Sequence, residues 1–420
     1  MQQTKLTIGL FGFGVVGASL YKALEQTPTL NATIKKVCIK HSEKQRQAPA
    51  HLFTTDAAAL LNDPSINVIV ELIDNAEDAY TIVTTALKNG KSVVSANKKM
   101  IAEHFEEFVA LQREYGTSLL YEAACCASIP VIRNLEEYYD NDLLKSISGI
   151  VNGSTNYILT KVFAEHKQFD EALAEAQASG FAEADPSLDV NGVDAVNKLS
   201  IMLAHAYGIT TPPHKLIHTG IQHLHAADAT FAEEKGYEIK LVAQARKLSD
   251  GKIAALLLPQ FILRGDELRT VRNEYNGVII ESSLADKQFF SGKGAGGFPT
   301  ASAVLSDLSA LRYNYKYEYK KLLASNGAML TNDYYLKICL SSKGLFSIPH
   351  ERFDQVLEWS SNAQRCHVTG IIHSSELQKS DWWKKPGTSL ILYPNGIIDN
   401  HTRAKKDLVD ELFTELFVTI

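Results

Sequence analysis

The stretch Leu6–Phe11 and the residues after it, Gly12-Phe13-Gly14-Val15-Val16-Gly17, read LTIGLFGFGVVG. A short apolar run predicts a strand and the pattern through Leu24 a helix, so G-x-G-x-x-G falls at a strand-to-helix turn. Each glycine has a task there. Gly12 permits the tight turn, Gly14 lets backbone approach a pyrophosphate, and Gly17 lets the helix pack against the strand. The helix amino terminus adds N–H groups and a positive dipole end for the phosphates. Residues 12–17, with Phe13, Val15 and Val16 between the glycines, are therefore read as a dinucleotide seat on a doubly wound parallel sheet.

The chain that follows fits such a sheet. A second strand over 34–39 ends in Lys40-His41-Ser42, with Arg46 nearby and no acid before Glu43. An acid there would favour a free ribose 2′-hydroxyl. Positive charge suits a 2′-phosphate, so Lys40 points to NADP over NAD, although the same cations also suit a solvated loop. Strands over 68–72 and 92–95, separated by a helix over 79–88, lead to Ala96-Asn97-Lys98-Lys99. Lys98 thus lies past the carboxyl end of a strand, at the edge where ligands bind; paired lysines there also serve as turn residues. A strand over 118–121 precedes Glu122-Ala123-Ala124-Cys125-Cys126-Ala127-Ser128-Ile129-Pro130. One carboxylate beside a tight loop of carbonyls suits a hard monovalent cation. The adjacent cysteines have no histidine near them in sequence and read as small packing residues.

A chain of 420 residues predicts two or three domains. The net charge of −6 argues against a nucleic-acid partner. No window approaches the roughly eighteen uncharged apolar residues of a membrane helix. The first strand begins so early that no leader is expected. Five cysteines, an odd number without zinc-ligand spacing, suggest reduced thiols and a cytoplasmic location.

In the middle, a strand over 147–151 leads to Asn152-Gly153-Ser154-Thr155-Asn156-Tyr157, a helix to about residue 163, and an acidic helix, Phe169–Ala178. Residues 180–198 then read GFAEADPSLDVNGVDAVNK. Glu183, Asp185, Asp189 and Asp194, with Glu175 farther off, gather near Lys198. Pro186 and Gly192 predict turns, and Asn191 is placed to cap the next helix. Asp194 and Lys198 share one helix face, roughly opposite the apolar stripe Val196, Leu199 and Leu203. On one helix alone that would be a surface pair worth about 0.3–0.5 kcal/mol.

These motifs together carry a resemblance. G-x-G-x-x-G, SANK, the E…SIP loop, NGSTNYIL, the 180–198 stretch and GKGAGGFPTASAV look like homoserine dehydrogenase, in the family's order, from residue 6 to about 310. The resemblance implies reversible NAD(P)-dependent interconversion of L-homoserine and L-aspartate 4-semialdehyde, a branch point towards threonine, methionine and isoleucine. By it, Lys198 is similar to the family's proton donor and acceptor and Asp189 to an acid needed for hydride transfer. Asp194 and Glu183 resemble substrate-contacting acids, and Lys98 the lysine near nicotinamide and substrate. Glu122 and the carbonyls of Cys125, Ala127 and Ile129 fall on its sodium or potassium site. The chemistry agrees: reduction places negative charge on the aldehyde oxygen, so a donor is needed within about 3 Å. The substrate ammonium suits Glu183, and its carboxylate suits Ser154, backbone N–H groups and Lys98. Phe181 stands where the family commonly has tyrosine, and CCAS where it has glycines.

Residues 1–130 are thus expected to form the nucleotide domain, completed by about 300–325, and 131–300 an α+β substrate and dimerisation domain. Strands over 253–263 and 278–281, a glycine loop over 292–300 and a helix over 301–313 belong to that plan. Residues 330–420 read β, α, β, β over 334–340, 351–359, 366–373 and 389–393, an ACT-like tail that is regulatory or structural. A homodimer or homotetramer with a small amino-acid substrate is expected, with no membrane partner. Two alternatives make different demands. Aspartate-semialdehyde dehydrogenase needs a cysteine activated by histidine, and a non-catalytic nucleotide sensor would keep the glycines while losing the lysine–acid set.

Overall fold

The computed structural model describes residues 5–141, 143–182, 185–324, 327–343, 348–361, 365–401 and 403. Its amino-terminal part holds β1 (Leu6–Phe11), β2 (Ala32–Cys38), β3 (Phe53–Thr54), β4 (Val68–Glu71), β5 (Ser92–Ser95) and β6 (Leu119–Leu120). They form one parallel sheet in the order β3-β2-β1-β4-β5-β6. Its central strands are nearly continuous apolar runs because helices cover both faces. The winding reverses between β1 and β4, which opens a crevice at the carboxyl ends of those two strands. There Phe11 pairs with Glu71.

The second sheet contains β7 (Leu144–Ile150), β8 (Ile217–His218), β9 (Glu238–Lys247), β10 (Ile253–Ile262), β11 (Tyr275–Ser282) and β12 (Asp286–Lys293). The tail adds β13 (Tyr335–Ser342), β14 (Gln355–Ser361), β15 (Cys366–His373) and β16 (Thr388–Ile398). The order is β12-β11-β7-β9-β10-β16-β13-β15-β14, with β8 on β10. The tail is therefore continuous with the middle sheet, joined where Gln260 pairs with Leu392. Leu336, Val368, Leu390 and Trp383 of the tail share one apolar cluster with Leu256 and Leu258 of β10.

The helix expected over 351–359 is a strand. Residues 355–361 run antiparallel along the edge of β15, and Gly370 makes the approach feasible, since a Cβ there would lie 2.6 Å from the Gln355 carbonyl oxygen. Pairing to β15 fixes the segment, because its side chains are almost all exposed and offer no burial pattern. The tail thus reads β, β, β, a short helix (Ser375–Lys379) and β, in place of the β-α-β-β pattern behind the ACT-type expectation.

Helix Gly297–Leu311 returns to the nucleotide sheet and lies so close to helix Val15–Gln26 that a Cβ on Gly297 would come within 2.3 Å of the Ser19 hydroxyl. Among the described residues no helix is long and apolar enough to cross a membrane.

Candidate active site

The glycine turn is built as its spacing requires. Gly12 has φ +91°, and a Cβ there would stand 2.6 Å from the Leu72 carbonyl oxygen. A Cβ on Gly17 would meet the Gly12 carbonyl at 2.4 Å, whereas one on Gly14 would meet nothing within 4 Å. The turn therefore closes tightly on two sides and stays open at Gly14, ahead of helix Val15–Gln26 and its unpaired N–H groups. This fits a pyrophosphate. Beyond β2, Lys40 is exposed, and the Arg46 guanidinium is held by the carbonyls of His41 and Lys44, at 2.6 Å each. Arg46 lies over Phe53, which meets Phe13 edge to face, so the loop after β2 is braced against the glycine turn.

The second half of the site hangs on helix Val193–Tyr207. It is buried at every position from Asp194 to Tyr207, because it runs between helix Lys98–Glu103 and strands β9 and β10. The solvated face that this helix would have in isolation is therefore covered. Nor does Asn191 cap this helix: its own N–H closes the short helix Ser187–Val190, and Gly192 makes the turn with φ +81°. A side chain at Gly192 would crowd Leu257 and Gly220 at 3.0–3.2 Å, so packing selects glycine there.

One carboxylate joins the site. Asp194 accepts from Lys198 Nζ at 2.7 Å on one oxygen and from Lys98 Nζ at 2.8 Å on the other. Lys198 also donates to the Val151 carbonyl at 2.7 Å. The Asn152 amide donates to Asp189 at 2.7 Å and to Asp194 at 2.9 Å, while its oxygen accepts from the Thr155 N–H and so caps helix Gly153–Glu165. Asp194 and Lys198 are buried, whereas the Lys98 side chain is 41% exposed and marks the open side. Burial pushes the Asp194 carboxyl up, but Lys198, Lys98 and Asn152 overcome it and leave it well below the usual carboxylate range. The Asp194 charge in turn raises Lys98, against the opposing effect of burial.

The other expected acids are placed differently. Glu183 lies outside the described residues. Ser154 donates to the Phe181 carbonyl at 2.6 Å, so its hydroxyl tethers the acid loop and keeps only acceptor capacity for a ligand. Phe181 packs on the Tyr157 ring, and the Tyr157 hydroxyl donates to Glu175, which also pairs with Lys161 and Lys167. Glu175 thus belongs to a surface network and not to the lysine cluster. Asn152, which ties two acids together, was visible in the sequence only as part of NGSTNYIL.

The loop after Glu122 carries backbone strain. Cys126 and Ala127 both have left-handed φ, +55° and +42°, a costly arrangement that clusters at ligand sites. The Glu122 carboxylate accepts from the N–H groups of Ile132 and Arg133 at 2.9 and 2.8 Å. Asp307 accepts from the Glu122 N–H at 2.9 Å and from Arg133 at 3.1 Å. Of these two buried acids only Asp307 meets the Arg133 guanidinium, while Glu122 holds the Arg133 backbone N–H. Burial pushes Glu122 up to about 7 and Asp307 well above its ordinary value. Among the described residues, the carbonyls of Cys125 and Ala127 accept no hydrogen bond, whereas that of Ile129 accepts from Val131 at 2.8 Å. A carboxylate with excess buried charge beside free carbonyls fits a monovalent cation. Both thiols are buried, and burial pushes Cys126 to about 12 and Cys125 well up. That is the opposite of an activated nucleophile.

Comparison with known proteins identifies the family. Residues 12–122 match the family profile described as homoserine dehydrogenase, NAD binding domain, and residues 130–309 that described as homoserine dehydrogenase. A homoserine dehydrogenase of Bacillus subtilis is 35% identical over 321 residues, 74% of each chain. One of Lactococcus lactis subsp. lactis is 31% identical over 396 residues, 88% of this chain and 92% of its own. The solved homoserine dehydrogenase of Thiobacillus denitrificans superposes with TM-score 0.80 at 26% identity, covering 93% of this chain and 98% of that one. A hyperthermophilic archaeal homoserine dehydrogenase solved with NADPH gives TM-score 0.63 at 26% identity over 75% and 99%. A glycine turn left open at Gly14 and a buried carboxylate that bridges two lysines, on a chain matched by both family profiles, place this protein in the homoserine dehydrogenase family, the NAD(P)-dependent oxidoreductases.

Proposed function

We propose that Lys198 is the proton donor and acceptor in the interconversion of L-aspartate 4-semialdehyde and L-homoserine, held in place by Asp194 and the Val151 carbonyl. The observation that carries this reading is the single buried carboxylate bridging Lys98 and Lys198. Bound nicotinamide supplies or accepts the hydride. Lys198 gives its proton to the developing alkoxide in one direction and takes it from the hydroxyl in the other. Its ammonium is oriented before substrate arrives, because two acceptors fix the amine. Lys98, kept charged by Asp194 and open to the crevice, holds the substrate carboxylate. Asp189, fixed by Asn152, serves the hydride transfer and Glu183 receives the substrate ammonium, while the Ser154 hydroxyl donates to the Phe181 carbonyl.

On this reading residues 1–130, completed by 300–325, seat the cofactor, and 131–300 carry the substrate. Gly12 to Gly17 take the pyrophosphate, and Lys40 beside the Arg46-braced loop takes the 2′-phosphate of NADP. Glu122 with the carbonyls of Cys125, Ala127 and Ile129 holds sodium or potassium. The active form is a homodimer or homotetramer in the cytoplasm, in keeping with free cysteines.

The test is initial-rate oxidation of L-homoserine with NADP and with NAD, wild type beside Lys198→Ala. The variant is expected to lose turnover by about two to four orders of magnitude, the range for a general acid–base group. An active wild type with an unaffected variant moves the proton transfer elsewhere, with Lys98 the next candidate.

A further inference from the structure

At the carboxyl end of β4, where the sheet reverses its winding, stands a carboxylate that the chemistry above does not use. Glu71 is completely buried, and among the described residues no cation pairs with it. One oxygen accepts from the Ser95 hydroxyl at 2.5 Å and the other from the Ile73 N–H at 2.7 Å. A charged group in such a place is costly, and a well-packed apolar side chain of similar volume is often at least as stable. Burial pushes its carboxyl up to about 7.

Its two bonds lead to the two halves of the site. Ile73 and Leu72 form the floor under Gly12, with the Leu72 carbonyl oxygen 2.6 Å and Ile73 Cγ2 3.2 Å from where a Gly12 Cβ would stand. The Ser95 hydroxyl oxygen accepts from the Asn97 N–H at 3.1 Å. The Asn97 amide donates back to the Ile73 carbonyl at 3.2 Å, and its oxygen caps helix Lys98–Glu103 through the Met100 N–H at 3.0 Å. Lys98 is the first residue of that helix and reaches Asp194. The floor of the glycine turn and the helix that aims Lys98 are thus stitched together through one buried carboxylate.

We propose that Glu71 is a positioning residue that couples the cofactor seat to Lys98, so that occupation of one favours the productive geometry of the other. This rests on the role given to Lys98 above. The experiment is a double-mutant cycle of Glu71→Gln and Lys98→Ala, with Ser95→Ala cutting the same chain at a different bond. NADPH affinity is read by nucleotide fluorescence with and without L-homoserine, and kcat and KM by initial rates.

Glu71→Gln and Ser95→Ala are expected to raise KM for homoserine by about tenfold to a hundredfold, the scale of a small misplacement. Both should also reduce the mutual tightening of NADPH and homoserine towards none. With Lys98→Ala already present, Glu71→Gln should add little to the homoserine defect, since both act through one amine. Glu71→Met, which removes the chain while filling the space, should melt no lower than wild type yet show the same kinetic loss. Additive homoserine defects, or a folded Glu71→Met with wild-type KM and unchanged mutual tightening, overturn the proposal. If Lys98→Ala alone leaves homoserine kinetics intact, the role of Lys98 fails, while the NADPH readout still judges the link from Glu71 to the glycine turn.

Discussion

Replacing potassium by a large organic cation is expected to destabilise the protein more at alkaline than at acid pH. Glu122 and Asp307 are both buried, and of the two only Asp307 pairs with the Arg133 guanidinium, so the loop holds more acid than base. Burial raises the Glu122 carboxyl to about 7. A carboxyl raised in the folded state stabilises the fold below its unfolded value and loses that contribution as pH rises through about 7. A cation against the carboxylate reverses the loss and competes with the proton. At about pH 5.5 the ion displaces a proton from a group 1.5 units higher, a cost of about 2 kcal/mol or roughly thirtyfold in affinity. Asp307, also raised, acts in the same direction. The assay is the thermal midpoint in KCl against tetramethylammonium chloride at equal ionic strength, near pH 5.5 and near pH 8. The potassium-specific rise should be larger at the higher pH and absent from Glu122→Gln. An equal rise at both pH values, or one that survives in Glu122→Gln, refutes the reasoning.

Asp194→Asn keeps the shape but removes the charge facing two amines, so kcat should fall by about two to four orders of magnitude in the homoserine assay. Asp194→Ala should in addition lose about 3–5 kcal/mol in urea unfolding, because Lys198 is left buried with one acceptor. Gly14→Ala places its methyl in open space, so it should melt like wild type and bind NADPH at least tenfold more weakly. Gly17→Ala, which meets the Gly12 carbonyl at 2.4 Å, should lose both stability and binding. Lys40→Ala should lower the ratio of kcat/KM for NADP over NAD by about tenfold, the value of one charge-assisted contact, with little change for NAD.

How much of this was legible depends on the distance over which each constraint acts. The glycine turn was readable because strand, spacing and helix all lie within one segment, and the backbone leaves no room for a side chain at Gly12 or Gly17 while Gly14 stays open. Helix Phe169–Ala178 was readable for the same reason. The lysine cluster was half readable. Asp194 and Lys198 share a helix face by spacing, but only the fold brings Lys98 from the end of β5 to the other oxygen. Nothing local told that Asn152 would spread its amide over both Asp189 and Asp194, since the same side chain also serves as an ordinary helix cap. The misread segments share one cause. Residues 355–361 carry no burial pattern because β14 is an exposed edge, and its strand form is imposed by β15 and by the missing side chain at Gly370. Asn191 lost the cap to Gly192 because the chain there presses on Gly220, far away in sequence. Local chemistry therefore picked out the candidate groups, whereas nonlocal packing decided which of them meet. That is why a buried carboxylate such as Glu71, silent in the sequence, stands out only once β4 and β5 are laid side by side.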